Sequence, residues 1–170
     1  MERKDILSAL EIAKMVCNIE EDGIGFYKAA GETSSEPDVE SLFSGLALKE
    51  LEHLTTFRNI YAKLDARMGG NQNAAEVLFD DQITAYLKVL AEGVIFPKGD
   101  EAEKWFSVHK DIKEAVHFAI NVEKHSILLY SEIATFNVFA NSQTIIRNIM
   151  EEEKSHLVIL NNMLHRLSRP

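Results

Sequence analysis

Apolar side chains recur at three- and four-residue spacing over most of this chain, the period of amphipathic helices. Residues 5–31 carry Ile6, Leu10, Ala13, Val16, Cys17, Ile24 and Tyr27 on one stripe. A polar stretch from Gly31 to Glu36 follows, and Pro37 then suits the first turn of a second helix. Leu42, Leu46, Phe57 and Leu64 carry that helix to Met68, where Gly69-Gly70 would end it. Asp111 and Glu114 have capping-box spacing for a helix over 112–136. A break at Asn137–Asn141 separates it from a last long helix, Ser142–Leu167. With 8 Gly and 3 Pro there are few breakers, which favours helix throughout.

The segment 69–111 is too long for a turn between neighbouring helices. It is expected to travel the length of the molecule, so that the helices on either side of it run parallel. Ile83, Tyr86, Leu87 and Leu90 predict a helix over Asp81–Glu92, while Val94, Phe96, Trp105 and Phe106 are available to cover a flank.

The two long helical hairpins, 5–68 and 112–168, are copies of one another. At a constant offset of 103 residues and without a gap, Glu20 matches Glu123, Tyr27 matches Tyr130, Glu50 matches Glu153 and His53 matches His156. Ile19 and Val122, Ile24 and Ile127, Leu54 and Leu157, and Leu64 and Leu167 extend the register. Neither hairpin can bury its apolar stripe alone. Packed face to face they make an all-α four-helix bundle, one domain over 1–170 with helices of roughly 38–48 Å.

The repeat also carries chemistry. Glu50 with His53, and Glu153 with His156, are Glu-x-x-His pairs that project from one helix face about 4.5 Å apart along the axis. Two such pairs plus one Glu from each of two further helices, here Glu20 and Glu123, form the ligand set of a carboxylate-bridged dimetal site inside a bundle. A third pair, Glu114 with His117, fails on geometry. Glu114 precedes Glu123 by nine residues, about 180° round the helix, and His117 is about 120° off the face.

Neighbouring charges are set aside on the same ground. Glu20 is preferred over Glu21 and Asp22 because it lies seven residues before Tyr27, about 20° off the same face. Glu153 is preferred over Glu151 and Glu152 because it alone pairs with His156. Bare carboxylates on apolar stripes cost several kcal/mol each, whereas four Glu and two divalent cations sum to zero charge. Carboxylate and imidazole suit iron, manganese or zinc. Two readings stay open for Tyr27 and Tyr130: donors to ligand carboxylates of the facing hairpin, Tyr27 to Glu123 and Tyr130 to Glu20, or core aromatics with a polar tip. His109, His125 and His165 match nothing in the repeat and are expected at the surface.

Composition narrows the partners. A net charge of −9 offers no basic stripe for a nucleic acid. No run of 18 apolar residues suits a membrane span, and MERKDILSALEIAKMV lacks the features of a signal peptide. The single cysteine, Cys17, allows neither an intrachain disulfide nor a four-thiolate iron centre, and points to a reducing cytoplasm. Cys17 precedes Glu20 by about one turn, and with Ile120 as its counterpart it reads as a small buried hydrophobe.

In NIEEDGIGFYKAA, LALKELEHL, NVEKHSILLY and MEEEKSHLV the chain resembles the rubrerythrin branch of the ferritin-like superfamily, over about 7–65 and 112–167. The resemblance implies a di-iron centre on Glu20, Glu50, His53, Glu123, Glu153 and His156. It implies reduction of hydrogen peroxide or dioxygen with electrons from a redox protein, and a homodimer. Two departures matter. Ser126 stands where rubrerythrins commonly carry a further Glu, and a rubredoxin domain is lacking, so the chain looks like a stand-alone erythrin-type domain with an external donor.

Overall fold

The structure is a computed structural model that describes residues 7–68, 79–93, 96–97 and 100–169. It contains helices α1 (Ala9–Thr33), α2 (Pro37–Met68), α3 (Asp81–Glu92), α4 (Asp100–Val108), α5 (Ile112–Ile133) and α6 (Gln143–Leu167). A 3-10 helix over Asn137–Ser142 precedes α6. Among the described residues there is no β-strand, and no helix is long and apolar enough to cross a membrane. Ile6, the expected end of α2 at Gly69-Gly70, and Val94 lie outside the described residues.

Local chemistry sets the helix ends. The Ser8 hydroxyl accepts from the Glu11 N–H at 3.2 Å while the Glu11 carboxylate accepts from the Ser8 N–H at 2.7 Å. That reciprocal box satisfies two end donors, so α1 begins at Ala9 rather than at residue 5. Asp111 caps α5 differently from the expected box: its carboxylate accepts from the Lys113 N–H at 2.9 Å. The Glu114 N–H instead donates to the Asp111 carbonyl at 2.9 Å. The helix also ends at Ile133, short of residue 136, where the chain turns into the 3-10 segment.

Each hairpin folds on itself, α1 along α2 and α5 along α6, and the crossover helices brace the sides, α4 on α1 and α3 on α5. Two exposed contacts fix the direction of α2 against α6. Arg166 near the end of α6 donates to Asp38 at the start of α2 (2.6 Å), and Arg67 at the end of α2 donates to the Val138 carbonyl just before α6 (3.0 Å). These two helices are therefore antiparallel, and because α5 turns back into α6, α2 and α5 run parallel as the long crossover required.

α3 falls where the periodicity placed it, capped by Asp80 on the Ile83 N–H. Its end approaches α5 closely. A Cβ on Gly93 would stand 2.2 Å from the His125 ring, so glycine is what lets that ring lie there. α4 was not anticipated as a helix, but its aromatics do cover a flank. The buried Phe26 ring meets Phe96, Trp105, Phe106 and Phe118 at centroid separations of 4.9–5.6 Å. Removing an aromatic ring from such a core costs about 3–5 kcal/mol. Phe26→Ala should lower stability by that amount in urea denaturation, and a loss below about 1 kcal/mol would mean that the flank contributes little.

Candidate dimetal centre

The middle of the bundle is acidic. Glu20 from α1, Glu50 and His53 from α2, Glu123 from α5, and Glu153 and His156 from α6 are all at most 5% exposed, although each sits on a stripe of apolar neighbours. Their donor atoms form two overlapping groups, Glu20, Glu50, His53 and Glu153 on one side, and Glu50, Glu123, Glu153 and His156 on the other, each within 4.8 Å. Glu50 and Glu153 belong to both. His53 Nδ1 lies 3.2 Å from Glu153 Oε1, 3.5 Å from Glu50 Oε2 and 3.8 Å from Glu20 Oε2. His156 Nδ1 lies 2.9 Å from Glu153 Oε2 and 3.5 Å from both Glu50 Oε1 and Glu123 Oε1. Each shared carboxylate thus turns one oxygen to each histidine, the posture of a bridge between two ions.

The protein alone does not satisfy these groups. Glu50 Oε1, His53 Nδ1, Glu153 Oε2 and His156 Nδ1 are buried without a hydrogen bond. Orphaned buried acceptors are costly, and all four point into one cluster. Two divalent cations would neutralise the four carboxylates and engage those atoms, so the residues fit a metal pair.

Without metal, protons take part of that role. Burial, reinforced by the charges of Glu50 and Glu153, pushes the Glu20 carboxyl well above the usual range. Burial and the charge of Glu123 raise Glu153 as well. Burial works against a charge on His53, but the carboxylates of Glu153 and Glu50 outweigh it and lift the ring to about 11. For His156, burial again opposes the charge, and Glu123 with Glu153 lift the ring to about 10.

The two tyrosines resolve in favour of the donor reading. The Tyr27 hydroxyl donates to Glu123 Oε1 at 2.6 Å, and the Tyr130 hydroxyl donates to Glu20 Oε1, so each hairpin's phenol holds the other hairpin's glutamate. Burial first, and the adjacent carboxylates second, hold both phenols well above their ordinary pKa and keep them protonated as donors. Tyr130→Phe should leave a buried carboxylate oxygen unpartnered. The expected result is a loss of about 1–3 kcal/mol in the metal-free protein and about 10- to 100-fold in metal affinity. Unfolding curves and competition with a chelator would show it, and unchanged metal affinity would reduce the phenol to a packing group.

Glu152 was missed. Its carboxylate lies 3.4 Å from His53 Nε2 and is 45% exposed, so it reaches from solvent to the outer edge of a buried ring. Its place in the run Glu151–Glu153 had marked it as a solvated charge. The usable signal was that a histidine held at one ring nitrogen needs an acceptor at the other. Its neighbour Glu151 does face solvent, paired with Lys154 at 2.6 Å. Glu114 and His117 are exposed and take no part, and His165 is exposed as expected. His109 and His125 correct that expectation: both are half-buried, His109 stacked on Trp105 at 4.1 Å and His125 lying over Gly93. Cys17 is a buried member of the core.

Fold and cluster together define a ferritin-like bundle with a buried carboxylate-imidazole set suited to two metals. Residues 85–164 match the family model described as Rubrerythrin, which bears out the resemblance read from the repeat. A solved structure from Thermotoga maritima, described as a ferritin-like diiron-carboxylate protein, is similar at 23% identity with a TM-score of 0.65. The similarity covers 96% of this chain and 98% of that one, and at this identity it speaks for the fold. Comparison with curated proteins finds no match.

Proposed function

We propose that this chain is a di-iron oxidoreductase that reduces hydrogen peroxide or dioxygen with electrons from a separate donor protein. The observation that carries the reading is the pair of shared carboxylates, Glu50 and Glu153, each aimed at both histidines in a cluster whose own hydrogen bonds leave four buried atoms unsatisfied. Two irons bound there would supply the two electrons that one peroxide requires. The protein's part is to hold them. Tyr27 and Tyr130 fix Glu123 and Glu20, Glu152 fixes the ring of His53, and the surrounding apolar stripes exclude bulk water. Manganese or zinc would fit the same donors, and elemental analysis of protein purified without added metal decides among them. The same reading makes the protein cytoplasmic and a homodimer. A monomer by light scattering at micromolar concentration would argue against the latter.

Stopped-flow mixing of the di-ferrous protein with each oxidant tests the activity. Oxidation should be faster with hydrogen peroxide than with dioxygen, and should consume one peroxide per iron pair. Ser126 favours a second reading. It is buried one turn after Glu123, and its hydroxyl cannot stand in for a carboxylate ligand. Equal or slower reaction with peroxide would support a ferritin-like ferroxidase with Fe(II) as substrate. No reaction with either oxidant would leave a structural metal pair.

A further inference from the structure

The internal repeat breaks at one position that matters to the centre. Glu152, which meets the outer nitrogen of His53, has Lys49 as its counterpart 103 residues earlier. Lysine has no acceptor to offer an imidazole N–H. Lys49 instead turns to Glu52 at 2.8 Å and lies 3.7 Å from Glu152. His156 Nε2 consequently makes no hydrogen bond to any described residue, although the side chain is buried and its Nδ1 faces the carboxylates. Beside it, between α2 and α6, opens a groove of about 590 Å³ walled by Leu42, Leu46 and Ile159, with Lys49 and His156 on its lining. Gly45 is on its lining and faces open space, since a Cβ there would meet nothing within 4 Å.

We propose that this groove is a binding site for a small neutral molecule with an apolar body and an oxygen head, such as an alcohol, phenol or carbonyl compound. Its oxygen accepts from His156 Nε2 and from Lys49, doing for His156 what Glu152 does for His53. The size and the mainly apolar wall with few convergent polar groups are those of small-molecule sites. Charge selects the head. With the metals bound and His156 neutral, one ammonium faces the two carboxylates of Glu52 and Glu152, so an ionised acid would be repelled while a neutral acceptor is not. The proposal takes from the dimetal reading that His156 Nδ1 is the metal-facing nitrogen, which leaves Nε2 as the outward donor.

The test uses 1-hexanol as probe and hexanoate as its charged comparator, followed by amide chemical shifts of Gly45 and Ser155 in the whole protein, metal-free and loaded with Co(II). Saturable shifts with hexanol are expected in both forms, and binding at least ten-fold weaker with hexanoate in the Co(II)-loaded form. Gly45→Leu fills the groove while favouring helix, and should weaken hexanol binding ten-fold or more with two Co(II) per chain retained. Lys49→Glu, which restores the symmetric carboxylate, should weaken it similarly. Shifts that do not saturate, indifference to Gly45→Leu, or tighter binding of hexanoate by the Co(II)-loaded form would overturn the proposal. So would a dimer in light scattering that admits hexanol only on dissociation, since the groove would then belong to a second copy. Failure of the wild-type chain to bind cobalt would count against the dimetal reading, while the shifts in the metal-free protein still judge the groove.

Discussion

Replacing Glu50 and Glu153 together by alanine should leave fewer than one metal ion per chain, against two in the parent. Both ions would depend on these residues, because each carboxylate presents one oxygen to His53 and the other to His156. After the double substitution each metal position keeps one carboxylate and one imidazole, and four negative charges become two. Two divalent cations would then bring two uncompensated positive charges into a buried site, which costs several kcal/mol. Elemental analysis after anaerobic loading and gel filtration gives the stoichiometry. Retention of both ions would remove Glu50 and Glu153 from the centre. Glu114→Ala is the matched control, since Glu114 also precedes a histidine by three residues but is exposed, and it should change nothing.

Stability should fall with rising pH in the metal-free protein, and metal should abolish that fall. His53 and His156 are held protonated in the metal-free fold, at about 11 and about 10, whereas the unfolded rings titrate near 6.5. The folded chain therefore binds more protons than the unfolded one above pH 6.5. The stabilisation these rings give is complete below about 6.5 and is lost as pH rises through about 10 to 11. Glu20 and Glu153, raised in the fold, add to the loss in the same direction above the unfolded carboxylate range of about 4.5. With both rings protonated only in the fold, metal-free protein should lose about 2–3 kcal/mol per pH unit between pH 6.5 and 9. Metal binding displaces these protons, so its contribution to stability grows with pH. Urea midpoints at pH 6.5, 8 and 9, with metal and with chelator, would show the two slopes. A metal-free midpoint that rises over this window would mean that the rings enter the fold neutral.

Much of this architecture is legible in the amino-acid sequence because one constraint is written twice. A glutamate on an apolar stripe is ambiguous by itself. Glu20 with Tyr27, repeated as Glu123 with Tyr130 at the same offset, is not, and the structure gives both tyrosines the partners that the offset suggested. The crossover lacks that redundancy. α3 was visible from its stripe, whereas α4 is short, begins just after Pro97 and Gly99, and owes its packing to Trp105 and Phe106 meeting Phe26 from far away in the chain. The α1 start was legible in Ser8 and Glu11, but the apolar stripe, which extends back to Ile6, outweighed it. Glu152 was obscured because a half-exposed carboxylate in an acidic run looks like any solvated charge until its distance to His53 is known. Which metal the donors prefer is not written in ligands that accept iron, manganese and zinc alike.

The crossed phenols also decide how the halves meet. Apolar ridges repeat every three or four residues, so two hairpins could slide by one helical turn, about 5.4 Å, and still bury most of their hydrocarbon. They could not do so and keep Tyr27 on Glu123 and Tyr130 on Glu20, because both bonds would open together and strand two buried acids. Oil brings the hairpins together without caring about the step; the acids at the centre admit one alignment and penalise its neighbours.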